Sequence, residues 1–332
     1  MPASAFQALP YRPEMAADWD AVVDAAHGGT VLHSRRFLDY HGPRFRDLSL
    51  VGVRSGETRI SMVFPLAADL TDPELAVSHP GSSFGGVIAL VRDPLHTRAF
   101  LKDAALWLRG QGLRRLLYRT TPAPLLRQPD DGLLPHLIQQ GRVIQLDLWS
   151  ILRLDPAVPE RNYWQSEIRR AERKGLRAEP VETAADWTEL HSTISGRLER
   201  KFGRPAVHSA AELIDLHRRL GAQSRGVLIR GPSDEVLAGL WFIDYGNGTL
   251  HNQYNGATDA GLRLGASSYG VALALEGAVT QRFAQFSFGR STLEDGWSEN
   301  RDLLRFKSRF GAGLASQFHI EVSLDRLLKS GL

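Results

Sequence analysis

The amino-acid sequence predicts an α/β (α+β) protein made of two tandem lobes, each with a mixed, mainly antiparallel sheet flanked by helices. Three observations lead to this prediction. The chain has 332 residues, which is long enough for two ordinary domains. Helical and strand-like hydrophobic periodicities alternate along it. The order of the elements in residues 1–158 recurs in residues 159–332, so we predict one lobe in each range.

In the first lobe, two helical segments precede three extended segments, and a Ser55-Gly56 turn makes a hairpin of the first two strands. Helix and strand then alternate. The predicted elements are helices 15–26 and 34–41, strands 48–54, 59–67 and 87–90, helix 94–109, strand 114–119, helix 126–138 and strand 143–152.

The second lobe repeats that order, and a turn at Pro232-Ser233-Asp234 marks its hairpin. A basic helix, 160–174, joins the lobes. A single alternating α/β sheet is the alternative fold. The predicted elements are helices 184–200 and 210–220, strands 226–230, 236–245 and 249–255, loop 256–265, helix 266–282, strand 283–288, helix 300–309 and strand 315–324.

The composition excludes several classes of site. There is no cysteine, so disulfides, thiolate metal sites and a cysteine nucleophile are excluded. The histidine spacings match no metal-ligand motif, and we predict neither a metal nor a resident cofactor. No GxSxG or Walker A sequence is found. The N-terminus lacks a signal-peptide pattern and no apolar run is of membrane-spanning length, so we expect a cytoplasmic protein.

Basic side chains concentrate on the joining helix. Trp164, Ile168 and Ala171 recur at helical spacing and are expected to face the protein, which leaves the arginines and a lysine outside. This is either a solvated linker helix or an anion-binding surface. The formal net charge of +3 does not establish a DNA partner, and none is predicted. We expect a monomer, because two lobes pair within one chain.

The segment 286–311 contains an unusual lysine. Residues 286–289, FSFG, read as a short strand that ends in Gly289, and Asn300 is a suitable cap for the following helix. Arg301, Arg305 and Arg309 form one stripe of that helix, whereas Lys307 falls on its apolar face. Because burying an unpaired ammonium is costly, either the lysine stem reaches the surface or the ammonium points into a cleft that binds an anion.

A second anion site is predicted where loop 256–265 meets the next helix. The sequence GLRLGASSYG places Arg263, Gly265, Ser267 and Ser268 there, which suits phosphate binding at a helix N-terminus or a plain serine-capped helix start. Asn252 and Tyr254 on the preceding strand line the same cleft or pack beside it. The candidate general bases are Asp244, Glu294 and Asp295.

These segments resemble the Fem family of aminoacyl-tRNA-dependent peptidyltransferases and the related Fem-like acyltransferases of the GNAT superfamily. The order of elements in each half is that of a GNAT unit, so the resemblance implies tandem GNAT-like lobes. It rests on residues 306–311, FKSRFG, with FSFG before them, on the interlobe sequence RRAERKGL at 169–176, and on the glycine-rich SHPGSSFGG at 78–86.

The resemblance implies transfer of an aminoacyl group from aminoacyl-tRNA to an amine acceptor. Lys307 would act catalytically at the acyl donor, and Arg169, Arg173, Gly289 and Arg309 would bind the donor. No lysine occurs in residues 37–41, which argues against a nucleotide-linked cell-wall acceptor. The alternatives are an acyl-CoA-dependent N-acyltransferase and a catalytically silent Fem-like binding module. The implied acceptor-binding residues are Ser82, Ser83, Phe84, Gly85 and Arg36.

Overall fold

A computed structural model describes residues 6–91, 93–128, 132–155 and 157–330. Two compact units are present, and each is assembled from separate stretches of the chain. The sequence predicts two consecutive lobes that meet at residue 158, and this boundary stays a prediction. Unit 1 lies within Met1–Leu148, Thr292–Ser298 and Ala315–Leu332, and unit 2 within Trp149–Ser291 and Glu299–Leu314.

The first part of the chain alternates short strands with helices. Helix α3 begins where the sequence predicts, because the Asp93 carboxylate accepts the N–H groups of Leu95 and His96 and Pro94 occupies the first turn. The elements are β1 (Phe6–Pro10), α1 (Ala16–Ala25), α2 (Arg35–Leu38), β2 (Leu50–Arg54), β3 (Ile60–Phe64), β4 (Ala67–Ala68), β5 (Leu75–Val77), β6 (Ile88–Ala89), α3 (Pro94–Gly110), β7 (Arg115–Arg119), α4 (Leu134–Gln140) and β8 (Gly141–Arg153).

The rest of the chain has longer elements. Helices α6 and α7 begin at capping boxes, Thr183 with Asp186 and Ser209 with Glu212. The elements are α5 (Arg161–Glu172), β9 (Arg177–Pro180), α6 (Ala184–Phe202), α7 (Ala210–Leu220), β10 (Ser224–Arg230), β11 (Val236–Asp244), β12 (Thr249–Ala257), α8 (Asp259–Leu264), α9 (Ala266–Thr280), β13 (Gln285–Arg290), α10 (Arg301–Ser308), β14 (Gly313–Ser323) and α11 (Leu324–Lys329).

Unit 1 contains an antiparallel sheet in the order β1-β2-β3-β6. A second set of strands runs β4-β5-β7-β14, in which β5 and β7 are parallel and the other pairs antiparallel. Phe64, Phe100, Leu116 and Ile320 belong to its buried core. Residues 315–323 of β14 belong to unit 1, and within this stretch β14 pairs with β7.

Unit 2 has the strand order β8-β13-β12-β11-β10-β9. Strands β12 and β13 are parallel, and the crossover between them contains α9; all other pairs are antiparallel. Trp164, Leu240, Phe286 and Phe310 are fully buried in its core. Mixed sheets flanked by helices confirm the predicted α/β class.

Most predicted elements are present, and the differences have local causes. The predicted loop 256–265 contains helix α8, because the Thr258 hydroxyl accepts the Gly261 N–H and starts a helix there. The predicted helix 126–138 is wrong in its extent: α4 begins at Leu134, and residues 129–131 of that prediction lie outside the described part of the chain. Strands β1, β5 and β9 and helix α11 lie outside the predicted elements. In the described ranges, no helix is both long and apolar enough to pass through a bilayer.

Candidate functional site

A cleft of about 480 Å³ opens in unit 2 between α5 and the junction of α8 with α9. Three segments that are distant in the sequence form its walls: the outer face of α5, the turn before α9, and the residue that ends α10. The lining residues are Tyr163, Glu167, Arg170, Ala171, Lys174, Leu262, Arg263, Leu264, Gly265, Ser268 and Arg309.

The floor of the cleft is the start of α9. Gly265 separates α8 from α9 with a φ of 85°, in the left-handed region that favours glycine. Helix α9 then runs from Ala266 to Thr280, and its first N–H groups have no acceptor within the helix. Lys174 Nζ donates to the Leu264 carbonyl at 2.9 Å, at the end of α8. A helix N-terminus with a cation beside it favours a negatively charged ligand.

Helix α5 is fixed by contacts from its inner face. Trp164 is fully buried, and its indole N–H donates to the Phe310 carbonyl at 3.2 Å. The Arg161 guanidinium donates to both carboxylate oxygens of Glu276 on α9, at 2.8 to 3.1 Å. These contacts hold α5 against α9, so the cleft between them has a defined width.

The cleft carries a surplus of positive charge. Among the described residues that line it, Arg170, Lys174, Arg263 and Arg309 are cations and only Glu167 is a carboxylate. Glu167 lies 3.8 Å from Arg170. Partial burial raises the pKa of Tyr163, and Glu167 adds to this effect while Arg309 and Arg170 oppose it, which places all four groups within electrostatic reach. The arrangement suits a phosphate or another anion.

The cleft brings together four of the predicted donor-binding residues: Arg263, Gly265, Ser268 and Arg309. Ser267 is half-buried and does not line it. Arg169 and Arg173 are exposed on α5 and at its end, and do not line the cleft either.

Three lining residues are absent from the predicted donor-binding set, Tyr163, Arg170 and Lys174, although the sequence places the last two on the basic face of the joining helix. Together with Glu167 they follow the spacing i, i+4, i+7, i+11. That spacing marks one face of a helix, so the signal was present in the sequence.

The environment of Lys307 differs from both interpretations of the sequence. Its side chain is only 6% exposed, and its ammonium neither reaches the surface nor points into the cleft. Nζ donates to the carbonyls of Gly289 at 3.0 Å and Arg290 at 2.8 Å and to the Ser291 hydroxyl at 2.9 Å. Burial lowers the pKa of Lys307 to about 7, and the nearby Arg290 charge acts in the same direction. The catalytic role implied by the resemblance stays a prediction.

The other predicted donor residues on β12 are packed into unit 2. Asn252 donates to the carbonyls of Trp241 and Tyr254. The Tyr254 hydroxyl lies 2.8 Å from His208 Nδ1, and burial raises its pKa to about 12. Neither side chain lines the basic cleft. Gly289 has a φ of 73°, and a Cβ there would lie 3.2 Å from the His251 ring, so this position favours glycine.

The predicted acceptor-binding loop lies in unit 1. Arg119 donates to the Ser82 carbonyl at 3.1 Å, and Gln317 donates to the Ser83 carbonyl at 2.9 Å. Phe84 is buried, and a Cβ on Gly85 would lie 2.1 Å from a main-chain oxygen.

Arg36, the fifth predicted acceptor residue, lies on α2 and forms ion pairs with Asp20 at 3.3 Å and Asp24 at 3.2 Å. The hydrogen bonds to the Ser82 and Ser83 carbonyls anchor the loop. The acceptor role of all five residues stays a prediction.

A buried carboxylate–imidazole pair in unit 1 was not predicted. His319 Nε2 lies 3.1 Å from an Asp147 oxygen, and both side chains are at least nine-tenths buried. The two residues are far apart in the sequence, so no local motif predicts their contact. Two predicted base candidates instead stabilise turns: Asp244 accepts the Gly246 N–H, and Asp295 accepts the N–H groups of Trp297 and Ser298.

No family model matches the sequence. No curated protein matches it either. Solved structures do. FemX has a TM-score of 0.70 at 11% identity over 94% of this chain and 96% of its own. L-PGS from Bacillus licheniformis has a TM-score of 0.62 at 14% identity, over 97% of this chain and 94% of its own. A tandem GNAT protein from the clavulanic acid biosynthesis pathway has a TM-score of 0.59 at 12% identity, over 96% of this chain and 98% of its own.

At these identities the likeness concerns the fold, and it extends over nearly the whole of each chain. It agrees with the order of elements predicted for the two halves. The chain therefore has the Fem-like GNAT fold, with two GNAT-like lobes in tandem.

Proposed function

We propose that this protein is an N-acyltransferase that moves an aminoacyl group from aminoacyl-tRNA to an amine acceptor. The observation that carries the proposal is the basic cleft of unit 2, in which four cations and the start of α9 surround one carboxylate. The fold, which is similar to that of FemX and a tandem GNAT protein, supports acyl transfer as the class of reaction.

The chemistry explains why an anion site suits such an enzyme. The amine nitrogen forms a bond to the acyl carbon, and the bond from that carbon to the donor oxygen breaks. The proton that the amine gives up ends on this oxygen, which leaves as a hydroxyl group. Holding the donor by a phosphate fixes the acyl carbon for attack without contacting the reacting atoms. Arg170, Arg263 and Arg309 offer guanidinium groups that bind phosphate oxygens through paired N–H donors.

The basic surface extends beyond the cleft, and this favours a polyanion. Arg169 and Arg173 are exposed next to lining residues Arg170 and Lys174. A tRNA has several phosphates along its backbone within reach of such a surface, whereas acyl-CoA has only a pyrophosphate and one further phosphate on its ribose. Acyl-CoA is the second candidate, because the Gly265 turn at the start of α9 suits a single pyrophosphate.

The test compares the binding of charged tRNA and of acyl-CoA by matched variants. Arg170→Ala removes a cleft cation, and Arg169→Ala removes its exposed neighbour on the same helix. For a tRNA donor, we expect both variants to weaken binding, with a salt dependence that becomes shallower as each phosphate contact is lost. For acyl-CoA, only Arg170→Ala weakens it. Arg218→Ala, an exposed arginine on α7, is the charge-matched control.

The same samples are then assayed for amide products with a panel of amines by mass spectrometry. Transfer from charged tRNA supports the proposal. Transfer from acyl-CoA with no tRNA binding at low salt makes acyl-CoA the donor. Binding without transfer from either donor to any amine contradicts enzymatic function and favours a binding module.

A further inference from the structure

We propose that Lys307 is a positioning residue, which holds the end of β13 and the short helix α10 together and thereby places Arg309 in the basic cleft. The inference deepens the proposed function and rests on it. It differs from the role that the resemblance implies, in which the lysine itself meets the acyl group.

The hydrogen-bond count of the ammonium leads to this assignment. A lysine ammonium has three N–H donors and no acceptor. At Lys307 the three donors are taken by Gly289 O, Arg290 O and Ser291 Oγ, all within 3.0 Å. No donor is left for an oxyanion in this arrangement, and the side chain is 6% exposed. The ammonium therefore serves the protein's own backbone.

The segment that Lys307 holds is a bend in β13. The parallel pairing of β12 with β13 ends at His251 and Ser287, and the antiparallel pairing with β8 changes register between Ser287 and Arg290. Gly289 takes a left-handed conformation in between, with a φ of 73°. Two successive carbonyls, which a regular ladder would direct to opposite sides, here turn to one ammonium.

The same contacts determine where α10 lies. This helix has only eight residues, Arg301–Ser308, so it depends on tertiary contacts for its position. Lys307 ties its last turn to β13. Three residues later, Phe310 is fully buried, and its carbonyl accepts the Trp164 indole N–H. Arg309 lies between these two anchors, is exposed, and lines the cleft.

The test uses inorganic pyrophosphate as the ligand of the cleft and needs no acyl transfer. We expect Lys307→Met to weaken pyrophosphate binding by about three- to tenfold, as Arg309→Ala does, because the ligand loses its charge-assisted contact with Arg309 in both variants. The double variant should bind no more weakly than either single variant, since both act through Arg309. Additive losses, or unchanged binding in Lys307→Met, overturn the proposal.

A second measurement separates this inference from the proposed function. Amide hydrogen exchange at Gly289–Ser291 should become faster in Lys307→Met, whether or not pyrophosphate binds; unchanged exchange overturns the inference. Ser291→Ala removes a single acceptor and covers the case in which Lys307→Met does not fold, with a smaller effect of the same kind expected. If the wild-type protein transfers no acyl group, the proposed function fails while the exchange result still tests Lys307.

The kinetic outcome distinguishes the two roles of the lysine. A positioning role raises the dissociation constant of the donor together with KM. If Lys307→Met instead lowers kcat with donor binding unchanged, the ammonium acts on the reacting acyl group, and the proposal is overturned.

Discussion

Lys174 Nζ lies 2.9 Å from the main-chain oxygen of Leu264, and this hydrogen bond joins the end of α5 to the turn that precedes α9. The two residues are 90 positions apart in the sequence. The Lys174 ammonium therefore has two effects at this junction. It closes the end of α8 by binding one of its last carbonyls, and it leaves a positive charge beside the first N–H groups of α9.

We expect Lys174→Met to weaken anion binding and to destabilise the protein by about 1 kcal/mol, because one hydrogen bond and one cleft charge are lost. Arg173→Met is the matched control, since this neighbour is exposed and does not line the cleft. Pyrophosphate titration and urea unfolding measure the two effects. If both variants lose the same pyrophosphate affinity and the same stability, Lys174 has no special role in the cleft.

Gly265→Ala tests the turn itself. Its φ of 85° strains any residue with a Cβ, although no atom lies within 4 Å of the added methyl group. We expect a loss of about 1 kcal/mol in the free energy of unfolding, together with weaker pyrophosphate binding.

Gly277→Ala in the last turn of α9 is the matched control for Gly265→Ala. There the nearest atom to an added Cβ is 3.8 Å away and the backbone is helical, so we expect about 0.5 to 1 kcal/mol of stabilisation instead. If both substitutions change stability in the same direction, the backbone argument for Gly265 is wrong.

Much of the fold could be predicted from local signals. Helix α7 has the predicted bounds because Ser209 and Glu212 form a capping box that is visible in the sequence. The Asn300 cap of α10 is confirmed, since its side chain accepts the Leu303 N–H. The sequence does not predict helix α8, because Gly261 lies within it and Gly265 follows it directly, and glycines favour a loop when read alone.

The site was harder to predict, for reasons that particular residues illustrate. The position of Lys307 on an apolar face correctly indicates burial, yet only the tertiary structure shows that its partners are carbonyls of β13. The interlobe motif indicates Arg169 and Arg173, whereas Arg170 and Lys174 are the pair that lines the cleft; helical periodicity separates the two pairs. The contact between Asp147 and His319 depends on strand pairing across more than half of the chain.

His319→Ala tests the contribution of that buried pair to stability. Asp147 is 2% exposed, and its carboxylate accepts a hydrogen bond from the Gln145 side chain at 3.0 Å, which the variant keeps. We expect a loss of about 3 kcal/mol, because the carboxylate stays buried with fewer partners. His319→Gln, which retains a side-chain N–H, should lose less. Urea unfolding of both variants checks the order, and equal losses would show that the contact to Asp147 contributes little.

His251 should make unit 2 sensitive to acid. Burial lowers its pKa to about 3 from the ordinary 6.5, and the neighbouring Lys307 adds to this effect. Between those two values the unfolded chain binds a proton that the folded protein does not. The free energy of unfolding therefore falls as the pH falls, by at most about 1.4 kcal/mol per pH unit from this group.

His251→Gln removes the titrating ring from beside Ser287 and Gln253, the side chains within hydrogen-bonding distance of its nitrogens. We therefore expect the wild type to lose stability more steeply than the variant from pH 6 to pH 4, with the difference between them constant above pH 7. Urea unfolding at each pH gives both curves. Because His33 and His79 in unit 1 also have lowered pKa values through burial, the variant keeps some acid sensitivity. Parallel curves across the whole range would show that His251 already carries its proton in the folded protein.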